Sequence, residues 1–193
     1  MCSAKAIVLL FTSLLIVIVP SAAQERNRFE NWYTNWGIGY PFITYPDELS
    51  GIDDAGLDNA SIMLDVLGFY WPISEQTILG GTVNAWGDRY AAGGEDLQIN
   101  AYTFGFSAMH FLQNRVGDGV FLRGEIGPSR LVINGSVFST NIESEWGLGV
   151  LIGGGFGIPV SSETRILLHL NYAVRRIEGE QYNNLGIAVS GLF

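Results

Sequence analysis

After its first few residues the chain contains no cysteine and no lysine, since Cys2 and Lys5 are the sole examples of each. Without cysteine, residues 24–193 hold no disulfide framework and no thiolate metal ligand. Without lysine, nine arginines face nineteen Asp and Glu there, a net charge of −10 where the whole chain carries −9. No Lys/Arg run interrupts that balance, so a polyanion partner is not expected and nucleic-acid binding is set aside. Histidine is scarce as well, limited to His110 and His169. Nor does any long apolar stretch follow residue 20, so no helix is expected to cross a membrane.

Of what is present, the N-terminus comes first. MCSAK carries one positive charge, AIVLLFTSLLIVIVP is an apolar run of fifteen, and SAA offers small residues before Gln24. This is the pattern of a secretory signal peptide over residues 1–23, cleaved after Ala23. The run is shorter than the roughly 20 residues of a spanning helix. Cys2 precedes it, whereas a lipoprotein acceptor cysteine would follow. The remaining 170 of the 193 residues suit one domain, 24–193.

Along that domain, short segments of period-two alternation are separated by Gly, Asn, Asp, Ser and Pro clusters, which is the signal for strands. Eight are expected, at about 32–40, 62–71, 77–88, 97–111, 119–131, 146–158, 165–177 and 184–193. Their lengths are near those of strands tilted across a bilayer. PISEQ, LQNRVGD and PVSSET read as tight turns, and the stretches after Tyr40, Asp88, Leu131 and Ile177 as longer polar loops. With an even strand number, both chain ends fall on the turn side.

The segment WGLGVLIGGGFGI sets the phase of the faces. Trp146, Leu148, Val150, Ile152, Phe156 and Ile158 share one parity, and Gly147, Gly149, Gly153, Gly155 and Gly157 share the other. A soluble sandwich would place charge opposite its apolar side. Glycine there suits the crowded inside of a narrow barrel, with the apolar parity against lipid. The same phase puts Leu122, Ile126, Leu168, Leu170, Tyr172 and Val174 outside. It gathers Asp65, Asn84, Arg123, Glu125, His169, Asn171 and Arg175 inside, where Asp65, Arg123, Glu125 and Arg175 would neutralise one another as a lumenal polar plug. Aromatic residues near strand ends are expected to form two interfacial girdles. Trp32, Tyr70, Trp71, Phe111 and Phe156 fall at the turn side, with Tyr40, Tyr90, Tyr102 and Trp146 at the other.

Taken together, the signal peptide, the eight alternating segments, the turn and loop pattern and the terminal phenylalanine resemble the small outer-membrane β-barrels of the OmpA, OmpX and opacity-protein type. That resemblance covers nearly all of residues 24–193. It implies an eight-stranded antiparallel up-and-down transmembrane barrel in the outer membrane of a Gram-negative bacterium, reached through the periplasm and in contact with outer-membrane lipid. It also implies that the barrel-assembly machinery reads a C-terminal signature, here Leu185, Ile187, Val189 and Phe193, with Gly191 departing by its size. The chain stops with this strand, and no peptidoglycan-binding domain is expected after it.

Residues for chemistry are few. Ser107 lies three positions before His110, which on a strand sets them on opposite faces. GFSAM misses the G-x-S-x-G elbow at its last position. GLGVLIGGGFG lacks the phosphate-loop spacing and a following helix. The acidic loop with Asp47, Glu48, Asp53, Asp54 and Asp58 does not match an EF-hand and reads as solvated. Asn134-Gly135 reads as a turn. No catalytic residue, metal site or cofactor is therefore expected. The leading expectation is a non-enzymatic barrel acting in envelope integrity or surface interaction, through extracellular loops open to an unidentified ligand. The loops concerned lie around 91–95, 134–145 and 178–183, together with the acidic loop. Two alternatives stand beside it. One is a membrane-embedded lipid-modifying enzyme or small channel, and the other a secreted, lipocalin-like carrier of an apolar ligand, whose faces would be inverted.

Overall fold

The computed structural model describes residues 32–47, 49, 58–92, 95–113, 115–136 and 141–193. The expected signal peptide, and Glu48, Asp53 and Asp54 of the acidic loop, lie outside the described residues.

Among the described residues, eight long strands and one short one form the fold: β1 (Tyr33–Thr44), β2 (Asp58–Pro72), β3 (Thr77–Ala92), β4 (Glu95–Phe111), β5 (Gly119–Gly135), β6 (Ile142–Glu143), β7 (Gly147–Pro159), β8 (Arg165–Ile177) and β9 (Glu180–Leu192). Each long strand pairs antiparallel with its neighbours in sequence, β5 pairs directly with β7, and β6 adds a two-residue ladder to Val132 and Ile133. The circle closes between β1 and β9, from Asn35 opposite Leu192 to Thr44 opposite Asn183. Closure leaves no long edge unpaired, the condition a sheet must meet to stand in hydrocarbon.

The eight long segments follow the expected alternation, yet several run further than the hydrophobic pattern alone suggests. β2, β3, β4 and β5 span 15, 16, 17 and 17 residues, against 12 or 13 for β1, β7, β8 and β9. The four longer strands project as a lobe from the end opposite the β2–β3, β4–β5 and β7–β8 turns. Their extra residues come out of stretches expected to be loops. The stretch after Asp88, expected to be a loop, continues β3 to Ala92, with β4 starting at Glu95, and Asn134-Gly135 ends β5 rather than forming a turn. The expected long loop after Ile177 is a two-residue hairpin, with Glu178 and Gly179 at φ +54° and +90°. Two successive left-handed residues match the right-handed twist of the flanking strands, and glycine takes the second at no steric cost.

One bulge resets the phase of β2. Between Asp65 and Leu67 the register slips against both β1 and β3, so that Val66 and Leu67 both face outward. An extra residue in one strand of a pair has that effect. Asp65 faces the lumen before the bulge, and Gly68 and Tyr70 face it afterwards.

The lumen is filled in three layers. At the turn end Tyr70, Ile78, Met109, Phe111, Val116, Phe121, Leu167 and Leu192 form an apolar cluster. At the lobe end a second cluster holds Tyr45, Trp86, Tyr90, Ile99, Ala101, Leu131, Ile177 and Tyr182. A polar network occupies the middle.

Candidate functional site

The middle layer is built on two arginines. Arg123 of β5 reaches Asp65 of β2, Nη1 donating to Oδ2 at 2.6 Å and Nη2 to Oδ1 at 3.0 Å. Its Nε donates to Glu125 Oε1 at 2.7 Å. Arg175 of β8 donates to Asn84 of β3 at 2.6 Å, Thr103 of β4 at 2.9 Å and Asn184 of β9. The two carboxylates and two guanidiniums, all enclosed, balance in charge. Isolated, each would meet a desolvation cost of several kcal/mol.

Around them neutral groups extend the network. Asn84 Nδ2 donates to Asp65 Oδ1 at 2.9 Å, and Thr103 and Ser129 hydroxyls share a bond of 2.7 Å. His169 Nδ1 accepts from Asn171 Nδ2 at 2.9 Å, which leaves Nε2–H for Ser190 Oγ at 3.2 Å. With His169 Nε2 lying 3.8 Å from Asp65 Oδ2, Asp65, Arg123, Glu125, His169 and Arg175 occupy one layer. The strand glycines make room for it. A Cβ on Gly153 would meet Asn171 Oδ1 at 2.2 Å, and one on Gly149 would meet Ser129 Oγ at 2.2 Å.

Toward the lobe the network hands over to a carboxylate saturated by neutral donors. Asp88 accepts Tyr45 Oη at 2.8 Å, Tyr90 Oη at 2.7 Å, Asn59 Nδ2 at 2.8 Å and Ser61 Oγ at 2.7 Å. Tyr45, just past β1, turns inward and sets its ring edge-on to Trp86 at 6.0 Å. Burial, reinforced by Asp88, pushes the Tyr45 phenol well above its ordinary value of 10. No feature of the sequence marked Asp88 as a hub. An alternation that puts Asp88 and Tyr90 on the inner parity of β3 is the signal that could have done so.

The outer wall is apolar throughout its middle. Leu122 and Ile126 of β5, Leu148, Val150 and Ile152 of β7, Leu168, Leu170 and Tyr172 of β8, and Leu185 and Ile187 of β9 are all exposed, Ile152 to 63%. Phe193 is exposed as well, its ring stacked on Trp36 at 5.8 Å, and its backbone exchanges two 3.0 Å bonds with Thr34. Val189 lies half-buried on the same side of β9.

The girdles differ in part from expectation. Trp32, Trp71 and Phe156 stand on the wall at the turn end, joined by Trp36 and Phe69. Tyr40 and Trp146 stand at the other end. Tyr70 and Phe111, expected at the turn-side interface, are fully buried in the lumen, and Tyr90 is buried at the lobe end. For Tyr70 the cause is the Val66 bulge. For Phe111 and Tyr90 it is the parity of β4 and β3, which overrides nearness to a strand end.

Ser107 and His110 are held on opposite sides of β4. Ser107 Oγ accepts from Tyr70 Oη at 3.0 Å inside the barrel, while His110 Nδ1 shares a 2.9 Å bond with Thr77 Oγ1 outside.

No protein-family model and no curated protein matches the chain. Solved structures do. The Yersinia pestis attachment invasion locus protein Ail, crystallised with the heparin analogue sucrose octasulfate, is 12% identical with a TM-score of 0.53 over 84% of this chain and 99% of that one. Neisserial surface protein A is 12% identical over 82% and 95%, with a TM-score of 0.48. The N-terminal β-barrel domain of Pseudomonas aeruginosa OprF is 12% identical over 84% and 98%, with a TM-score of 0.47. Identity this low makes the likeness one of fold. Closed, antiparallel and eight-stranded, with its apolar side outward, the chain has the fold of the small outer-membrane β-barrels.

Proposed function

We propose that the protein is an integral component of the bacterial outer membrane, with no reaction of its own and no open pore, acting through its lobe end in envelope integrity or surface interaction. A single observation carries this: an apolar wall exposed around a lumen filled by an apolar, a polar and a second apolar layer. Large contiguous apolar surface is not left to water by soluble proteins. A lipocalin-like carrier needs the inverse arrangement, with apolar residues lining a cavity.

The filled lumen supports a sealed barrel over a small channel. The opposite faces taken by Ser107 and His110 support a non-enzymatic role over lipid modification, because a nucleophile and its base must share a side. Leu185, Ile187, Val189 and Phe193 are proposed as the stretch presented to the barrel-assembly machinery. Phe193→Ala should then lower the folded fraction in cells, yet leave refolding from urea into micelles unchanged.

Membranes washed at high salt decide the placement: the protein should stay in the pellet until detergent is added, and release into buffer would refute it. Planar-bilayer recording should show no discrete conductance steps. Overexpression should leave lipid A composition unaltered.

A further inference from the structure

Nine arginines serve a chain of strong negative charge, and the described ones are unevenly employed. Arg123 and Arg175 are enclosed in the lumen, Arg165 is bound to Asp118 and the β7–β8 turn, and Arg115 lies in the β4–β5 turn. Arg89 pairs with Asp96 on the lobe. Two others stand elsewhere. Arg130 of β5 and Arg176 of β8 flank β7 on the outer wall, where the apolar band gives way to the lobe.

Register places them closely. Leu148 pairs with both Pro128 and Arg176, so Arg176 is level with Pro128 and Arg130 is two residues nearer the lobe. With β7 between them, the two backbones are about 10 Å apart across the sheet, within the reach of two arginine side chains toward one group. Between them stand Trp146 and Leu148, both exposed, with the edge of Phe104 against Trp146 at 5.8 Å. Arg130 is anchored: its guanidinium lies 5.5 Å from the Trp146 ring centroid, its Nε donates to Ser144 O at 3.0 Å, and Nη2 pairs with Glu143. The exposed Arg176 has no ion pair or side-chain hydrogen bond among the described residues. Glu178, two residues on, accepts the backbone N–H of Glu145 instead.

We propose that Arg176 and Arg130 form a docking site for the phosphate of an anionic lipid in the outer leaflet, with Trp146 and Leu148 lying along the start of its acyl chains. The proposal rests on the membrane placement above. An arginine fork suits a phosphate oxygen pair, and indole belongs at headgroup depth. A soluble phosphate would gain nothing from Trp146 and Leu148, so the occupant is lipid.

The test is competition between phosphatidic acid and phosphatidylcholine of equal chain length for the full chain in micelles, read as bound adducts by native mass spectrometry. Wild type should favour phosphatidic acid by about fivefold for each arginine. Arg176→Gln and Arg130→Gln should each lose about that factor, Arg176→Lys should keep most of it, and Arg89→Gln should keep it all. An unchanged preference in both Gln variants, an equal loss in Arg89→Gln, or displacement of the lipid by equimolar inorganic phosphate would overturn the site. Failure of the wild type to enter micelles or bilayers would instead refute the membrane placement.

Discussion

Arg123 and Asp65 face each other across the lumen with a two-pronged contact of 2.6 and 3.0 Å, joining β5 to β2 through the interior rather than along the sheet. Arg175 makes a second tie between β8 and β3. These ties hold non-adjacent strands at one level, a constraint that backbone ladders between neighbours do not supply.

Removing one partner leaves a buried charge uncompensated. Asp65→Asn or Arg123→Met should lower stability by about 3–5 kcal/mol. Urea unfolding of the protein refolded into micelles measures it. Replacing Asp65 and Arg123 together by apolar residues of similar volume should cost less than either single change, because the lost attraction is matched by lost desolvation and Glu125 still balances Arg175.

Tyr70 and Trp71 are consecutive and both aromatic; alternation sets them on opposite sides, and the bulge decides that Tyr70 is the inner one. Tyr70→Ala should cost about 3–5 kcal/mol, the range for emptying a large core site. Trp71→Ala, on the wall, should cost less and alter fluorescence quenching by brominated lipid instead.

Glycines on the two faces should respond differently to the same change. At Gly153 any side chain meets Asn171, and the neighbouring backbone O of Leu170 is 2.8 Å from the added atom. Gly153→Val should therefore prevent the heat-modifiable folded band on gels. A Cβ on Gly124 meets open space, and Gly124→Ala should fall within about 0.5 kcal/mol of wild type.

The Tyr45 phenol keeps its proton in the folded protein beyond the pH at which an unfolded chain's tyrosines ionise. Folded protein therefore binds more protons than unfolded protein above pH 10, and stability should fall as pH rises through that value. Ultraviolet phenolate titration should show equal numbers of tyrosines ionising between about pH 10 and 11 in folded wild type and folded Tyr45→Phe, and one more in unfolded wild type than in unfolded Tyr45→Phe. Stability of Tyr45→Phe should fall less steeply across the same window.

Much of this was open to inspection in the chain itself. Period-two alternation from Gly147 to Pro159 and from Arg165 to Ile177 placed Leu148, Val150, Leu168 and Leu170 outward, since a strand has two faces and the second carries glycine or paired polar groups. The alternation also set Arg123, Glu125, His169, Asn171 and Arg175 on the inner side. Tyr70 was illegible, because a bulge inserts one residue without a mark in composition. Asp88 was equally so, since its four donors come from Asn59, Ser61, Tyr45 and Tyr90, separated along the chain by up to 45 positions and by three strands' worth of register. Loop lengths after Asp88 and Ile177 also escaped, because polar residues continue a strand as readily as they end one once its neighbour offers backbone partners.

Sequence alone determined the eight long strands, their antiparallel order and the outer and inner faces of β5, β7, β8 and β9, for these follow from local periodicity and short connections. Only the tertiary structure decided which inner side chains meet, where the phase of β2 slips, and that apolar layers close the lumen above and below the charges. Those outcomes depend on register between strands distant in the chain, and register is an agreement among all eight strands at once.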